Sequence, residues 1–178
     1  MKRKSRRHGR IVVLTGEGKG KSSSAFGMAF RAAGWGMQVR VIQFIKGKWK
    51  TGEQKAAERF ANIDWHALGD GFTWDTQNPE QDRATTRRIW AFCLATLDEA
   101  QHDLVVFDEI CYCIHYGWLD AGEVAREIRA RKPHWMHLVL TGRGAPPELI
   151  ELADTVTEMK KVKHAFESGI MAEQGIEF

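Results

Sequence analysis

The chain has 178 residues, 43% hydrophobic and 28% charged, a balance typical of one globular domain with a sizeable apolar core. Its three cysteines are an odd number, which argues against a disulfide framework and for a reducing compartment. No apolar stretch approaches the roughly 18 residues of a membrane span, and the amino terminus lacks the apolar segment of a secretion signal. We therefore expect a cytoplasmic protein that has no membrane partner.

The positive charge is concentrated at the amino terminus. The formal net charge is +3, but six of the 26 basic residues fall within residues 1–10, which leaves 20 basic residues against 23 acidic ones. A charged chain end is weaker support for nucleic-acid binding than a basic face on the folded body. We expect residues 1–10 to be a disordered basic leader and residues 11–178 to form a single domain, with nucleic acid an unlikely partner.

Short apolar runs and helical periodicities alternate along the remainder of the chain. In chain order, the predicted elements are a strand at 11–14, a helix at 22–33, a strand at 39–45, a helix at 53–60, a strand at 63–68, a helix at 80–101, a strand at 104–107, a helix at 120–131, a strand at 137–141, a helix from 146 and a strand at 155–159. This alternation predicts an α/β fold with a mostly parallel sheet and helices on both faces.

The strongest local signal is a glycine-rich turn between the first predicted strand and helix. Residues 15–22 read Thr-Gly-Glu-Gly-Lys-Gly-Lys-Ser and resemble a phosphate-binding P-loop, although Thr15 stands where the usual pattern has a glycine. Glycines let backbone N–H groups curl around an anion, while lysine adds charge and serine a hydroxyl for Mg²⁺. A plain glycine-rich turn and a dinucleotide fingerprint fit less well. The residues expected to bind the nucleotide are Gly16, Glu17, Gly18, Lys19, Gly20, Lys21, Ser22 and Ser23.

Further polar residues follow two other predicted strands. Asp108 and Glu109 come directly after the buried-type strand at 104–107, as do the acids that hold Mg²⁺ in P-loop proteins. The carboxyl ends of parallel strands meet at one edge of the sheet, so these acids should lie near the P-loop. With Ser22 they are the predicted metal ligands. Arg143 follows the strand at 137–141 and could contact a phosphate there.

Two other patterns are weaker. Cys111, Cys113 and His115 offer only three metal-ligand types, at a spacing unlike that of zinc sites, so packed thiols are the favoured interpretation. The loop around Trp74 also holds Phe72, and two large apolar rings on a loop favour a binding role.

With these motifs, the sequence resembles the P-loop type of ATP:corrinoid adenosyltransferase over almost its whole length. The motifs that carry the resemblance lie at 16–22, 41–47, 71–78, 107–109, 141–144, 152–156 and 162–170. The aromatic loop at 71–78 and the segment at 162–170 are the most specific of them. Two departures are a shorter stretch before the first strand and Ser22-Ser23 in place of two threonines.

The resemblance implies that Co(I) of a corrinoid attacks C5′ of ATP and expels triphosphate. Lys21, Arg143 and Mg²⁺ (or Mn²⁺) would stabilise the departing charge. Phe72 and Trp74 would fill the lower axial face of the corrin and favour four-coordinate cobalt. The family also implies a homodimer and a reductant protein that supplies Co(I).

Two other functions remain open from the residues themselves. A P-loop ATPase or kinase could contact nucleic acid through the basic leader, and a nucleotide-binding switch would have no catalysis. Their products differ, since the transferase releases triphosphate, the ATPase or kinase releases ADP, and the switch releases nothing.

Overall fold

A six-stranded sheet forms the centre of the molecule. The computed structural model describes residues 8–45, 50–69 and 79–177. The strands are β1 (Ile11–Thr15), β2 (Val39–Gln43), β3 (Ile63–Ala67), β4 (Leu104–Asp108), β5 (His137–Thr141) and β6 (Thr155–Glu158). They lie in the order β3-β2-β4-β5-β1-β6, and every pair of neighbours is parallel. The predicted α/β fold with a parallel sheet is therefore confirmed.

Helices cover both faces of this sheet. They are α1 (Lys21–Gly34), α2 (Gly52–Ala57), α3 (Pro79–Glu99), α4 (Ile110–His115), α5 (Ala121–Arg131) and α6 (Pro147–Leu152), with a 3-10 helix at Ala165–Ser168. Because β1 runs directly into the glycine-rich turn and then α1, the architecture is that of a P-loop protein.

Alternate residues of the central strands enter two different cores. In β4, Val105 and Phe107 belong to the core under α3, α5 and α6, whereas Leu104 and Val106 belong to the core under α1. All four are buried, and burying a side chain of this kind stabilises the fold by roughly 1.5–3 kcal/mol. A strand buried on both faces explains why residues 104–107 are uniformly apolar.

Helix α4 is the main element that the sequence analysis does not predict. It has only six residues, too few to show a helical period, and it begins after Glu109, which offers no side-chain cap. A helix of this length is stabilised by its contacts, since Ile110, Cys111 and Cys113 are buried. Strand β2 also ends at Gln43, two residues before the predicted end.

The chain enters the sheet at the amino edge. The N–H of Gly9 donates to the carbonyl oxygen of His134 at 2.7 Å, and the N–H of Arg10 donates to Nδ1 of His137 at 3.1 Å. The predicted leader overlaps this attachment at its last two residues, and residues 1–7 lie outside the described part of the chain. Across the described ranges, no helix is long and apolar enough to cross a bilayer.

Candidate active site

The predicted phosphate loop lies at the carboxyl edge of the sheet, between β1 and α1. Its backbone packs on the residue that follows β6, because the N–H of Gly18 donates to the carbonyl oxygen of Met159 at 2.6 Å. Gly16 has a φ of 95°, and a Cβ there would lie 2.5 Å from the same oxygen. Any side chain at Gly16 would therefore collide with the backbone as well as strain it.

Lys21 lies at the start of α1 and reaches back into this loop. Its Nζ donates to the carbonyl oxygens of Gly16 and Gly18, both at 2.7 Å. Burial, with a further contribution from Arg143, lowers the pKa of the Lys21 ammonium. The two carbonyl oxygens thus hold the charge inside the loop, where the oxygens of a bound anion could compete with them for the ammonium.

Asp108, at the end of β4, is completely buried and bound by side chains. Its Oδ2 accepts from Nε2 of Gln43 at 2.9 Å, and its Oδ1 accepts from Oγ1 of Thr141 at 2.8 Å. Gln43 in turn accepts from Nε1 of Trp65 at 2.9 Å. This chain of hydrogen bonds links strands β3, β2, β4 and β5 at the carboxyl edge, and each bond is strengthened by the low local dielectric.

Glu109 follows in a left-handed conformation with a φ of 67°, which is unusual for a residue with a side chain. The Thr141 hydroxyl accepts from its backbone N–H at 2.8 Å and thereby helps to hold the turn. Such conformations cost on the order of 1–3 kcal/mol and concentrate at functional sites. The turn separates the two acids, because Glu109 lines a cavity beside the phosphate loop while Asp108 stays in the protein interior.

Arg143 lies in the turn after β5, and a glycine makes this turn possible. A Cβ on Gly142 would lie 2.8 Å from Cβ of Cys111, so only glycine lets the turn pack against the start of α4. Nη1 of Arg143 lies 3.4 Å from Oε2 of Glu17, across the phosphate loop. The pair is exposed and adds little stability, but it places a cation beside the loop.

These elements enclose an open cavity of about 190 Å³. Its lining includes nine of the predicted site residues: Glu17, Gly18, Lys19, Gly20, Lys21, Ser22, Ser23, Glu109 and Arg143. Small-molecule sites usually measure roughly 300–1,000 Å³, so this cavity is smaller than a typical one. Backbone N–H groups, two lysines and an arginine suit it to phosphate groups.

The chain has close relatives among known proteins. The family model described as ATP:corrinoid adenosyltransferase BtuR/CobO/CobP matches residues 7–178. The chain belongs to the ATP:corrinoid adenosyltransferase family. It is 48% identical to the corrinoid adenosyltransferase of Pseudomonas aeruginosa, over 96% of this chain and 84% of the relative. It is 44% identical to that of Escherichia coli K12, over 96% of this chain and 86% of the relative.

The fold also has a distant structural likeness. The cytoplasmic domain of EssC superimposes with a TM-score of 0.52 and 13% identity, over 93% of this chain and 34% of that chain. At this identity the likeness concerns the fold alone. The resemblance drawn from the motifs and the expectation of a transferase are both confirmed, and an ATPase, kinase or switch is not favoured.

The cavity of this adenosyltransferase also contains residues that the sequence analysis missed. Tyr112 lines it from α4, and Glu177 lines it from the carboxyl-terminal segment, where Nζ of Lys19 donates to Oε1 of Glu177 at 2.6 Å. No local pattern could find Tyr112, since α4 itself was not predicted. Glu177 is 158 positions from Lys19, so only the folded chain brings them together.

The other predicted features fall away from the cavity or outside the described residues. Phe72 and Trp74 belong to the latter group. Cys111 and Cys113 are buried, and burial raises the pKa of each thiol to about 12, whereas His115 is exposed. Within the ranges that the structure describes, no three His, Cys, Asp or Glu side chains gather as a metal centre would require.

Proposed function

We propose that this chain transfers the 5′-deoxyadenosyl group of ATP to Co(I) of a corrinoid and releases triphosphate. The observation that carries the proposal is the cavity, in which a P-loop, Glu109 and Arg143 meet in a member of this family. The product serves adenosylcobalamin biosynthesis or salvage.

The reaction is a nucleophilic displacement. The electron pair of Co(I) forms a bond to C5′, the C5′–O bond breaks, and its electron pair leaves with triphosphate, so that cobalt becomes formally Co(III). No proton leaves the nucleophile, and no general base is needed. The protein must instead stabilise the charge that develops on the leaving group, a task for Lys21 and Arg143 with the backbone N–H groups of the loop.

The donor set fits a magnesium ion bound together with phosphates. Ser22 and Glu109 line the same cavity and offer a hydroxyl and a carboxylate, and Mg²⁺ commonly takes one or two carboxylates plus substrate oxygens. Both oxygens of Asp108 accept hydrogen bonds from Gln43 and Thr141, so we assign Asp108 to positioning and Glu109 to the metal. When bound, the ion would neutralise charge on the triphosphate; Mn²⁺ has similar ligand preferences.

Phe72 and Trp74 complete the proposal through the family resemblance. As apolar rings below the corrin they would exclude an axial ligand and make Co(II) easier to reduce. Phe72→Ala and Trp74→Ala should therefore slow the reaction from Co(II) far more than the reaction from preformed Co(I). Both rates are measured for each variant beside a thermal melt. Equal losses in the two assays with a lowered melting temperature would instead identify these rings as core residues.

The same resemblance supplies three further parts of the proposal. We expect a homodimer, a separate reductant protein that delivers the electron for Co(I), and a cytoplasmic location. Sedimentation equilibrium tests the first of these directly, with a mass of twice 20.2 kDa expected.

An anaerobic assay tests the transfer itself. Chemically reduced cobalamin, cobinamide and cobyrinic acid diamide are each mixed with MgATP and protein, and the cobalt-carbon product is followed by its spectrum. We expect equimolar adenosylated corrinoid and triphosphate from at least one acceptor. Release of ADP would support an ATPase or kinase, and the absence of any product would support a switch.

A further inference from the structure

Tyr112 occupies a position in the cavity that none of the roles above uses. It lies in the first turn of α4, three residues after Glu109, and its N–H donates to the carbonyl oxygen of Glu109 at 3.2 Å. The side chain is half-buried and lines the cavity together with Lys21 and Arg143. Its phenol is therefore presented to the space where phosphate groups would lie.

Tyr112 has a stacking partner for its ring and a packing contact at its backbone. The ring of Tyr116 lies nearly parallel to it, with centroids 6.2 Å apart and planes at 18°, and Trp118 stacks on Tyr116 at 5.1 Å. At the backbone, the Cβ position of Gly142 would be 3.2 Å from the nitrogen of Tyr112, so the turn that carries Arg143 packs against the main chain of this residue. A ring fixed in this way can orient its hydroxyl without a large loss of entropy on binding.

A phenol is protonated at neutral pH even at its ordinary pKa of roughly 10. Burial raises the pKa of Tyr112, and Arg143 opposes this shift. Among the described residues, none forms a hydrogen bond with this hydroxyl. An anion in the cavity would favour the protonated form again, because it disfavours a second negative charge nearby. Tyr112 thus offers a neutral O–H donor to the cavity.

We propose that Tyr112 donates its phenol hydroxyl to a phosphate oxygen of the bound nucleotide and is a further substrate-contacting residue of this site. The inference rests on the proposed function, and it adds a donor from α4 to those of the P-loop and Arg143. The hydrogen bond strengthens as negative charge accumulates on the departing triphosphate, so it contributes to the rate of transfer and to the binding of free triphosphate.

The test compares Tyr112→Phe with Tyr116→Phe. Both substitutions keep the ring and its stacking and remove one hydroxyl, but only Tyr112 lines the cavity. Binding of inorganic triphosphate with Mg²⁺ is measured by calorimetry, kcat and KM for ATP are measured with preformed Co(I), and each variant is melted. For Tyr112→Phe we expect triphosphate affinity and kcat/KM to fall about 10- to 100-fold, the range for a hydrogen bond to a charged group. Tyr116→Phe should stay within about twofold of the unchanged protein, and the melting temperatures should agree.

The outcomes separate this inference from the proposed function. Triphosphate affinity and kcat/KM of Tyr112→Phe within twofold of the unchanged protein would overturn the contact while leaving adenosyl transfer intact. Equal losses in both variants would also overturn it, since they would point to the aromatic stack and not to one hydroxyl. Loss of triphosphate binding in Tyr112→Phe alone, in a protein that forms no cobalt-carbon bond, would support the contact and reject the transfer. Failure of the unchanged protein to bind triphosphate would reject both.

Discussion

The two edges of the central sheet carry similar groups in different surroundings. At the amino edge, Asp103 is buried, and its Oδ2 accepts from the backbone N–H of Gln38 at 2.9 Å. Lys132 is half-buried there and donates to the carbonyl oxygens of Pro133 and Met136 at 3.1 and 2.8 Å. Each of these two charged groups binds backbone groups of neighbouring segments. The contacts therefore hold those segments together.

The carboxyl edge has a matching aspartate and lysine. Asp108 is buried, but its partners are the side chains of Gln43 and Thr141, and Thr141 also holds the turn at Glu109. Lys21 also donates to two carbonyl oxygens, yet it lines a cavity as well. Burial lowers the pKa of both Lys21 and Lys132, so the energetic cost of burying the charge is of the same kind at both edges.

Because both edges contain buried charged groups, burial of a charge does not by itself mark a functional site. Buried acids and lysines bind backbone groups at one edge, and at the other edge several charged groups converge on a cavity. Substitutions in matched pairs, one at each edge, therefore separate effects on function from effects on folding.

The lysine pair should show the largest effect. Lys21→Ala removes a charge that stabilises the leaving triphosphate, and the loss of such a contact typically costs on the order of 10²-fold or more in rate. Lys132→Ala removes a lysine with the same kind of backbone contacts and should leave the rate unchanged. Initial rates of adenosyl transfer are measured for both variants with preformed Co(I). Similar rates for the two would show that the P-loop does not hold the triphosphate.

The aspartate pair should differ in stability. Gln43 and Thr141 both donate to Asp108, so Asp108→Asn would place an amide donor against one of them. Such a mismatch lowers the free energy of unfolding by roughly 1–3 kcal/mol. Asp103→Asn keeps an oxygen that can accept from Gln38, so a smaller loss is expected. Urea denaturation measures both losses, and a larger loss for Asp103→Asn would contradict the proposed network.

Two residues with left-handed backbones form the third pair. Ala100, before β4, has a φ of 51°, and Glu109, after β4, has a φ of 67°. Glycine relieves this strain, so Ala100→Gly and Glu109→Gly should each change the free energy of unfolding by about 1 kcal/mol or less, in the stabilising direction. Only Glu109→Gly should raise the Mg²⁺ concentration needed for half-maximal rate. Thermal melts and a magnesium titration of both variants provide the comparison. An unchanged magnesium dependence in Glu109→Gly would show that Glu109 is not a metal ligand.

The smallest effect concerns the thiols. All three cysteines are buried, and burial raises the pKa values of Cys111 and Cys113 to about 12. The reactive thiolate is therefore scarce at pH 8, and we expect almost no alkylation of the native protein by iodoacetamide. Unfolding in urea should expose all three thiols to the reagent. Mass spectrometry counts the modified sites, and rapid labelling of native Cys111 or Cys113 would contradict their burial in the core.

Much of the fold follows from the sequence because the central strands β1, β2, β4 and β5 are largely buried on both faces. Uniformly apolar segments such as 104–107 and the glycine-rich turn at 15–22 are local patterns, and the structure places both as predicted. Helix α4 could not be predicted in this way, since its six residues are stabilised by tertiary contacts and lack a capping side chain.

The candidate site was predictable where its residues form continuous motifs or follow a predicted strand, as Arg143 does. The P-loop and the acids after β4 are continuous motifs. The different roles proposed for Asp108 and Glu109 rest on hydrogen bonds from Gln43 and Thr141, which come from other strands. Tyr112 lines the cavity from helix α4, which the sequence did not predict. Long-range contacts of this kind leave no local period or spacing in the sequence.

Hydrogen-deuterium exchange with and without inorganic triphosphate and Mg²⁺ tests most directly whether function is confined to the carboxyl edge. Peptides that cover residues 16–23, 109–112 and 141–143 should gain protection, because these segments line the cavity or form its loops. Peptides that cover residues 100–104 and 131–137 at the amino edge should exchange at unchanged rates. Protection at the amino edge, or none at residues 16–23, would contradict the assignment of the cavity to triphosphate.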